Sequence, residues 1–143
     1  MSAYNDKQAR VAVTAIILRD GKVLFGKRKG GIGSGTWGFP GGSLEFGESP
    51  DECVRREVLE ETGMKVKSCK LGTITNDVFL DEGKQWINIF MVVDAEGTPQ
   101  IIEPQKCEEW QWFQWEHAPE PLFMPEQTLK KQKYDPFAHK KSF

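Results

Sequence analysis

The run Ser49-Pro50-Asp51-Glu52, followed eleven residues later by Gly63, fixes one helix more firmly than anything else in this chain. Ser49 suits the N-cap. Pro50 suits the first helical position, where no backbone N–H is needed, and Glu52 completes a Ser-x-x-Glu capping box. Gly63 accepts the left-handed conformation that ends a helix. The pattern predicts a helix over about 50–62. Its last turns read Arg56-Glu57-Val58-Leu59-Glu60-Glu61-Thr62, an electrostatically odd ending. The carbonyl end of a helix dipole prefers cations, and Glu57 and Glu61 are like charges four residues apart, which repel. At ~100° per residue, Glu57, Glu60 and Glu61 fall within roughly one 100° arc. Such a face is either solvated, or it converges on a cation that reverses the penalty. Hard oxygen ligands select Mg²⁺, Ca²⁺ or Mn²⁺ over zinc or copper. Arg56, beside Glu57 and one turn before Glu60, is either a surface ion-pair partner or the group that holds a carboxylate in place.

The rest of the chain reads mainly as strands. Residues 10–18 (RVAVTAIIL) form a β-branched apolar run suited to a buried strand, and Asp20-Gly21 makes a hairpin turn to a return strand over 22–29. The glycine-rich stretch 30–42 is a loop or a broken strand. Two more strands are expected over 64–80 and 84–95, a period-two aromatic strand over 108–115 and a second helix over 125–134. This order suggests an α+β or α/β sandwich with a mixed sheet. With 143 residues, 38% apolar and 11% aromatic, the chain suits a single domain over 1–143 with its core at about 10–137. No apolar run approaches the ~20 residues that span a bilayer, so no membrane association is expected. The polar N-terminus lacks the apolar segment of a signal peptide. Cys53, Cys69 and Cys107 are scattered and odd in number, which points to free thiols in a reducing, cytoplasmic setting rather than to disulfides or zinc. A net charge of −2 disfavours nucleic acid as a partner but leaves small anions open.

Gly42, five residues, Glu48, seven residues, Arg56-Glu57, apolar Val58 and Leu59, Glu60-Glu61, Thr62, Gly63 and apolar Met64 resemble a complete Nudix box. The resemblance implies the Nudix fold, an α/β/α sandwich, and Mg²⁺-dependent hydrolysis of a nucleoside diphosphate linked to another group, with Mn²⁺ as a substitute. By position, Glu57, Glu60 and Glu61 match the metal-binding glutamates, and Glu60 and Glu61 are also the expected catalytic acids. The Gly41 carbonyl matches a backbone ligand, and Arg56 the arginine that orients the glutamates. Glu48 either reaches the metal through water or acts as a structural acid. The segments 26–49, 103–115 and 134–137 extend the resemblance to the MutT-like branch of eukaryotic nucleoside triphosphate diphosphatases. That branch implies a nucleotide substrate, purine dNTPs including 8-oxo-dGTP, cleaved to NMP and pyrophosphate in nucleotide-pool sanitation. Other nucleoside-diphosphate, pterin or isoprenoid diphosphates are the alternative substrates, and a silent nucleotide-binding module is the alternative of another class. Relatives form homodimers. Met124-Pro125-Glu126 departs from the usual segment after Leu122-Phe123, which borders the base pocket in relatives, so it is at the base that this chain departs from the branch.

Arg28 corresponds to a phosphate-contacting position, and a cationic fork there would suit a polyphosphate. Lys27, Gly42 and Phe123 join it as expected substrate contacts, although strand alternation puts Lys27 and Lys29 opposite Arg28. Glu108 is the expected loop acid, with Glu103 second. Trp110, Trp112 and Trp115 either stack on a base or fill the core, and Trp37 carries the same ambiguity. His117 and His139 lack a metal-spaced partner. Gly21-x-x-x-x-Gly26-Lys27 fails as a phosphate loop because Arg28 replaces Ser/Thr, and Gly33-x-Gly35-x-x-Gly38 fails as a dinucleotide fingerprint because no helix opens after it.

Overall fold

A computed structural model describes residues 8–138. His139 and the first seven residues, on which two of the expectations above fall, lie outside them. The elements run β1 (Ala9–Arg19), β2 (Lys22–Arg28), β3 (Trp37–Gly38), β4 (Gly41–Ser43), α1 (Pro50–Thr62), β5 (Lys65–Phe79), β6 (Lys84–Glu96), β7 (Cys107–Phe113), a 3₁₀ turn (Trp115–His117) and α2 (Met124–Lys131). The sheet has the order β3-β2-β1-β6-β5, with β4 added to β1 and β7 to β2. β1 and β6 pair in parallel, while β5 and β6 form a long antiparallel hairpin, so the sheet is mixed as expected.

The apolar run 10–18 is continuous because β1 is covered on both faces. Val13, Ala15 and Ile17 pack with Cys53, Val54 and Val58 of α1, while Ile16 packs in a second cluster with Phe25, Phe90 and Leu129 of α2. One strand thus serves two cores, and the chain is an α+β sandwich with a helix on each side. α1 begins and ends as expected. Ser49 accepts from the Glu52 N–H, Glu52 accepts from the Ser49 N–H, and Gly63 takes a left-handed φ of 75°. The Asp20-Gly21 turn is built from two positive φ values, 52° and 77°.

The stretch 30–42 combines the two alternatives, a loop over 30–36 followed by the broken strand pieces β3 and β4. Two boundaries differ from the sequence reading. α2 stops at Lys131 rather than 134, because Lys133 turns left-handed with φ 58°. Trp115 leaves the β7 alternation and sits in the 3₁₀ turn, buried against Phe25 and Phe39. No helix among the described residues is long and apolar enough to cross a membrane.

Candidate active site

Two cavities share a wall. The larger, about 600 Å³, is lined by Glu57 and Glu61 from α1, by Lys27 and Lys29, by Lys106 and by Trp110. The smaller, about 310 Å³, is lined by Phe79, Trp86, Asn88, Phe123 and Glu126. Arg28, Ile32, Phe39, Gly41, Gly42 and Ser43 belong to both. A side chain at Gly42 would overlap the Glu57 carboxylate, and one at Gly41 would strike the β1 backbone at Val13 and Thr14. The glycines therefore let β4 lie directly between α1 and β1.

Arg56 organises the acidic end of α1. Its Nε donates to Glu48 Oε2 at 2.6 Å and its Nη2 to Glu48 Oε1 at 2.9 Å, a two-pronged pair. Nη1 donates to Glu57 Oε2 at 2.9 Å, and Nη2 also reaches the Ser43 carbonyl at 3.1 Å. The hydrogen bonds from Arg56, helped by the Glu45 N–H, hold the Glu48 carboxyl down to about 2. Both oxygens of Glu48 are thus engaged by Arg56.

Glu57 and Glu61 meet, as the four-residue spacing predicts. Burial first, then the hydrogen bond and charge of Glu57, push the Glu61 carboxyl well above its usual range, and the Gly41 N–H at 3.2 Å offsets this in part. Two carboxylates squeezed together beside a glycine strand form an all-oxygen set that fits a hard divalent cation. The expected three-way convergence is realised only in part. Glu60 is exposed and turned to Arg56 Nη1 at 3.3 Å. Among the described residues no cluster of three or more His, Cys, Asp or Glu side chains sits at metal-ligating distances.

The other expected residues fall into place unevenly. Lys27, Arg28 and Lys29 all border the larger cavity, but only Arg28 also borders the smaller one, while Lys27 Nζ goes to Glu108, in keeping with alternation; the β2–β7 register shifts between Lys27 and Arg28. The Arg28 guanidinium donates to the Ile32 carbonyl through Nε at 3.1 Å and Nη2 at 3.0 Å, and lies 3.8 Å over the Phe123 ring. Burial lowers its pKa. Phe123 in turn stacks on Phe79. Glu108 is exposed and pairs with Lys27 at 3.6 Å, outside the residues that line either cavity. Glu103, the second choice, is the loop acid whose charge acts on Glu61. Trp37 and Trp115 are core, and Trp112 lies under Arg19. His117 touches only Gln114 among the hydrogen bonds found.

Sequence reasoning missed a second polar group. Asp77 on β5 accepts from Thr75 Oγ1 at 2.6 Å, Asn88 Nδ2 at 2.8 Å and Thr128 Oγ1 at 2.7 Å, so it ties β5, β6 and α2 together. Glu126, wholly buried, accepts the Phe39 N–H on Oε2 at 2.8 Å. The available signal was parity. Thr75 and Asp77 share the buried face of β5 with Phe79, where apolar residues are expected. Burial pushes the Glu126 carboxyl up to about 7, with Arg28 opposing and Asp77 adding to the shift.

This sets a pH dependence of stability. The Glu126 carboxyl is raised in the fold, so its contribution is fully present below its usual value of 4.5 and is lost as pH rises through about 7. The loss amounts to about 3 kcal/mol. Glu126→Gln stays neutral throughout. Its melting temperature relative to wild type should climb between pH ~4 and pH ~8.5, and a pH-independent difference would contradict the raised carboxyl.

A sandwich that sets an acidic helix end and a cationic strand across a glycine wall is the frame of a hydrolase for phosphoanhydrides. A family model for the NUDIX domain matches residues 8–135, and the chain belongs to the Nudix family as a pyrophosphohydrolase. An oxidized purine nucleoside triphosphate hydrolase of Danio rerio is 31% identical over 112 residues, covering 78% of this chain and 70% of that protein. An ADP-ribose pyrophosphatase of Methanocaldococcus jannaschii is 32% identical over 120 residues, covering 84% and 70%. The crystal structure of a MutT NUDIX hydrolase from Burkholderia pseudomallei superposes with a TM-score of 0.82 at 31% identity, covering 87% of this chain and 98% of that one.

Proposed function

We propose that this enzyme hydrolyses purine nucleoside triphosphates, oxidised forms such as 8-oxo-dGTP among them, to the monophosphate and pyrophosphate, with Mg²⁺ as its cation and Mn²⁺ as a substitute. The observation that carries the reading is the pair of joined cavities. One is walled by aromatics and suits a base; the other is walled by carboxylates and lysines and suits a metal-bound polyphosphate. Glu57, Glu61 and the Gly41 carbonyl would hold the cation, and Glu60 would join by turning away from Arg56. Bound there, the cation would neutralise phosphate charge and sharpen a water into a nucleophile. Lys27, Lys29 and Lys106 hold the anionic tail, and Arg28 stands at the junction of the two cavities. Arg56 keeps Glu57 oriented. A carboxylate of the α1 pair or Glu103 accepts the water's proton. Positioning and electrostatics suffice for phosphoryl transfer, so no covalent nucleophile is needed.

The Methanocaldococcus jannaschii relative favours a second reading, a diphosphatase for another nucleoside diphosphate derivative. The net charge of −2 and the free cysteines support free nucleotides in the cytoplasm, rather than nucleic acid, as the setting. Exposed Ile74 and Val78 on β5 would suit a homodimer. Initial rates with Mg²⁺ over dGTP, 8-oxo-dGTP, dATP, dCTP and ADP-ribose test the reading. Purine triphosphates should lead and release pyrophosphate. A dominant rate on ADP-ribose would favour the second reading, and nucleotide binding without turnover would indicate a silent module.

A further inference from the structure

Two residues that line the smaller cavity, Asn88 and Glu126, each have a hydrogen-bond acceptor that nothing in the catalytic reading uses. Asn88 is buried in its wall. Its Nδ2 is committed to Asp77 Oδ2, which already receives the Thr75 hydroxyl on the same oxygen. That oxygen already accepts a hydroxyl, so the amide cannot turn over without facing oxygen to oxygen. Asn88 Oδ1 is left as the amide's free acceptor. Glu126 lines the same cavity from the first turn of α2. Its Oε2 is committed to the Phe39 N–H, while Oε1 is buried and accepts from nothing in the protein. A buried polar atom without a partner is costly and calls for an explanation. The two acceptors are not independent. Thr128, two residues after Glu126 on the same helix, donates to Asp77 Oδ1, so the one carboxylate that sets Asn88 also ties down α2. Around them stand Phe79, Phe123 and Trp86, which give flat apolar surface, and Arg28, which covers Phe123.

We infer that Glu126 and Asn88 are the base-reading pair of this enzyme, a double acceptor that selects a nucleobase presenting two neighbouring N–H donors. This deepens the proposed function and rests on the smaller cavity being the base cleft. Among common bases that edge belongs to guanine, whose ring N1–H and exocyclic amino group lie side by side. Adenine and cytosine present a donor beside an acceptor, and hypoxanthine keeps the ring N–H but lacks the amino group. The same edge is unchanged in 8-oxoguanine. The pair therefore selects guanine over adenine and treats the oxidised and unoxidised forms alike.

Glu126→Gln inverts one acceptor. The Phe39 N–H still needs an oxygen, so the amide oxygen takes the Oε2 place and the NH₂ group takes the place of Oε1. Within the pair Glu126 takes the guanine amino group and Asn88 the ring N–H, so a donor then faces that amino group. Asn88→Leu removes the other acceptor at similar volume. The test compares kcat/KM for dGTP, dITP, dATP and 8-oxo-dGTP near pH ~8.5, where the Glu126 carboxyl is ionised, beside Arg28, Asp77 and the Phe39 N–H. Wild type should prefer dGTP over dITP by about tenfold or more, and over dATP by about a hundredfold. Glu126→Gln should collapse the dGTP/dITP ratio by at least about tenfold, carried by KM, with the same loss for 8-oxo-dGTP. Binding of dGMP against dIMP, followed without metal by tryptophan fluorescence, should shift in parallel in both variants. Folded variants that keep the wild-type ratios within about twofold, or a wild type that does not distinguish dGTP from dITP, would overturn the pair. A wild type that binds dGMP over dIMP yet hydrolyses no triphosphate would sink the proposed activity and leave the reader standing.

Discussion

Glu61→Gln should lower kcat by roughly a thousandfold or more, because it removes a charged oxygen from the proposed cation site at the cost of one atom's change in shape. The expected response of stability is the informative part. Glu61 is crowded by Glu57 and by burial, and the Gly41 N–H compensates only partly. A neutral amide relieves that crowding, so the metal-free variant should melt above metal-free wild type. Adding Mg²⁺ should raise the melting temperature of wild type by mass action and leave the variant almost unmoved. The two curves would cross as Mg²⁺ is added. Glu60→Gln is the comparison, since Glu60 is exposed and faces Arg56 in the described arrangement and would reach the cation only by turning. A loss in Glu60→Gln as deep as in Glu61→Gln would mean that Glu60 swings in to bind the cation. Equal Mg²⁺ stabilisation of wild type and Glu61→Gln would remove Glu61 from the metal site.

What the sequence made legible was local. Ser49, Glu52 and Gly63 act within one helix, and each takes the role its type and spacing predict. The meeting of Glu57 and Glu61 is also a one-turn relation. Glu60 fits the same arc, yet its side chain goes to Arg56, because an arc fixes the direction of Cβ and not the choice between solvent and a neighbouring cation. Alternation separates Arg28, which turns to Phe123, from Lys27, which turns to Glu108, but it does not reveal the register shift between them. That shift lies in the pairing of β2 with β7, and no local pattern announces it. The polar residues at and behind the smaller cavity were the least legible. Asp77 and Asn88, diagonal neighbours, meet only through the register of the β5–β6 hairpin, and Thr128 brings α2, with Glu126, to them only when α2 packs on the sheet. In one dimension Glu126 is an ordinary acid in the first turn of a helix, where the dipole favours it. Burial distinguishes it, and burial is a property of the assembled fold.

Arg56→Lys should show that the cation site depends on geometry as well as charge. The change keeps a positive group but replaces a planar fork with a single ammonium. Arg56 uses Nε and Nη2 together on Glu48 while Nη1 holds Glu57 and Nη2 reaches Ser43. One lysine nitrogen cannot span Glu48, Glu57 and the β4 carbonyl at once. Glu57 should therefore lose its fixed orientation and the wall at Ser43 its tie to α1. For a group that orients ligands without touching the substrate, a loss of about ten- to a hundredfold is expected. Its form separates it from Glu61→Gln. The half-saturating Mg²⁺ concentration should rise, and high Mg²⁺ should recover much of the rate in Arg56→Lys but little in Glu61→Gln. The Glu48 carboxyl, held down to about 2 chiefly by Arg56, should titrate closer to an ordinary glutamate when followed by NMR. If Arg56→Lys keeps both the wild-type Mg²⁺ dependence and the low Glu48 titration, the fork is dispensable and Arg56 is no more than a surface charge. If the Glu48 titration moves while the Mg²⁺ dependence does not, Arg56 holds the loop before α1 and Glu57 is oriented by the β4 glycines alone.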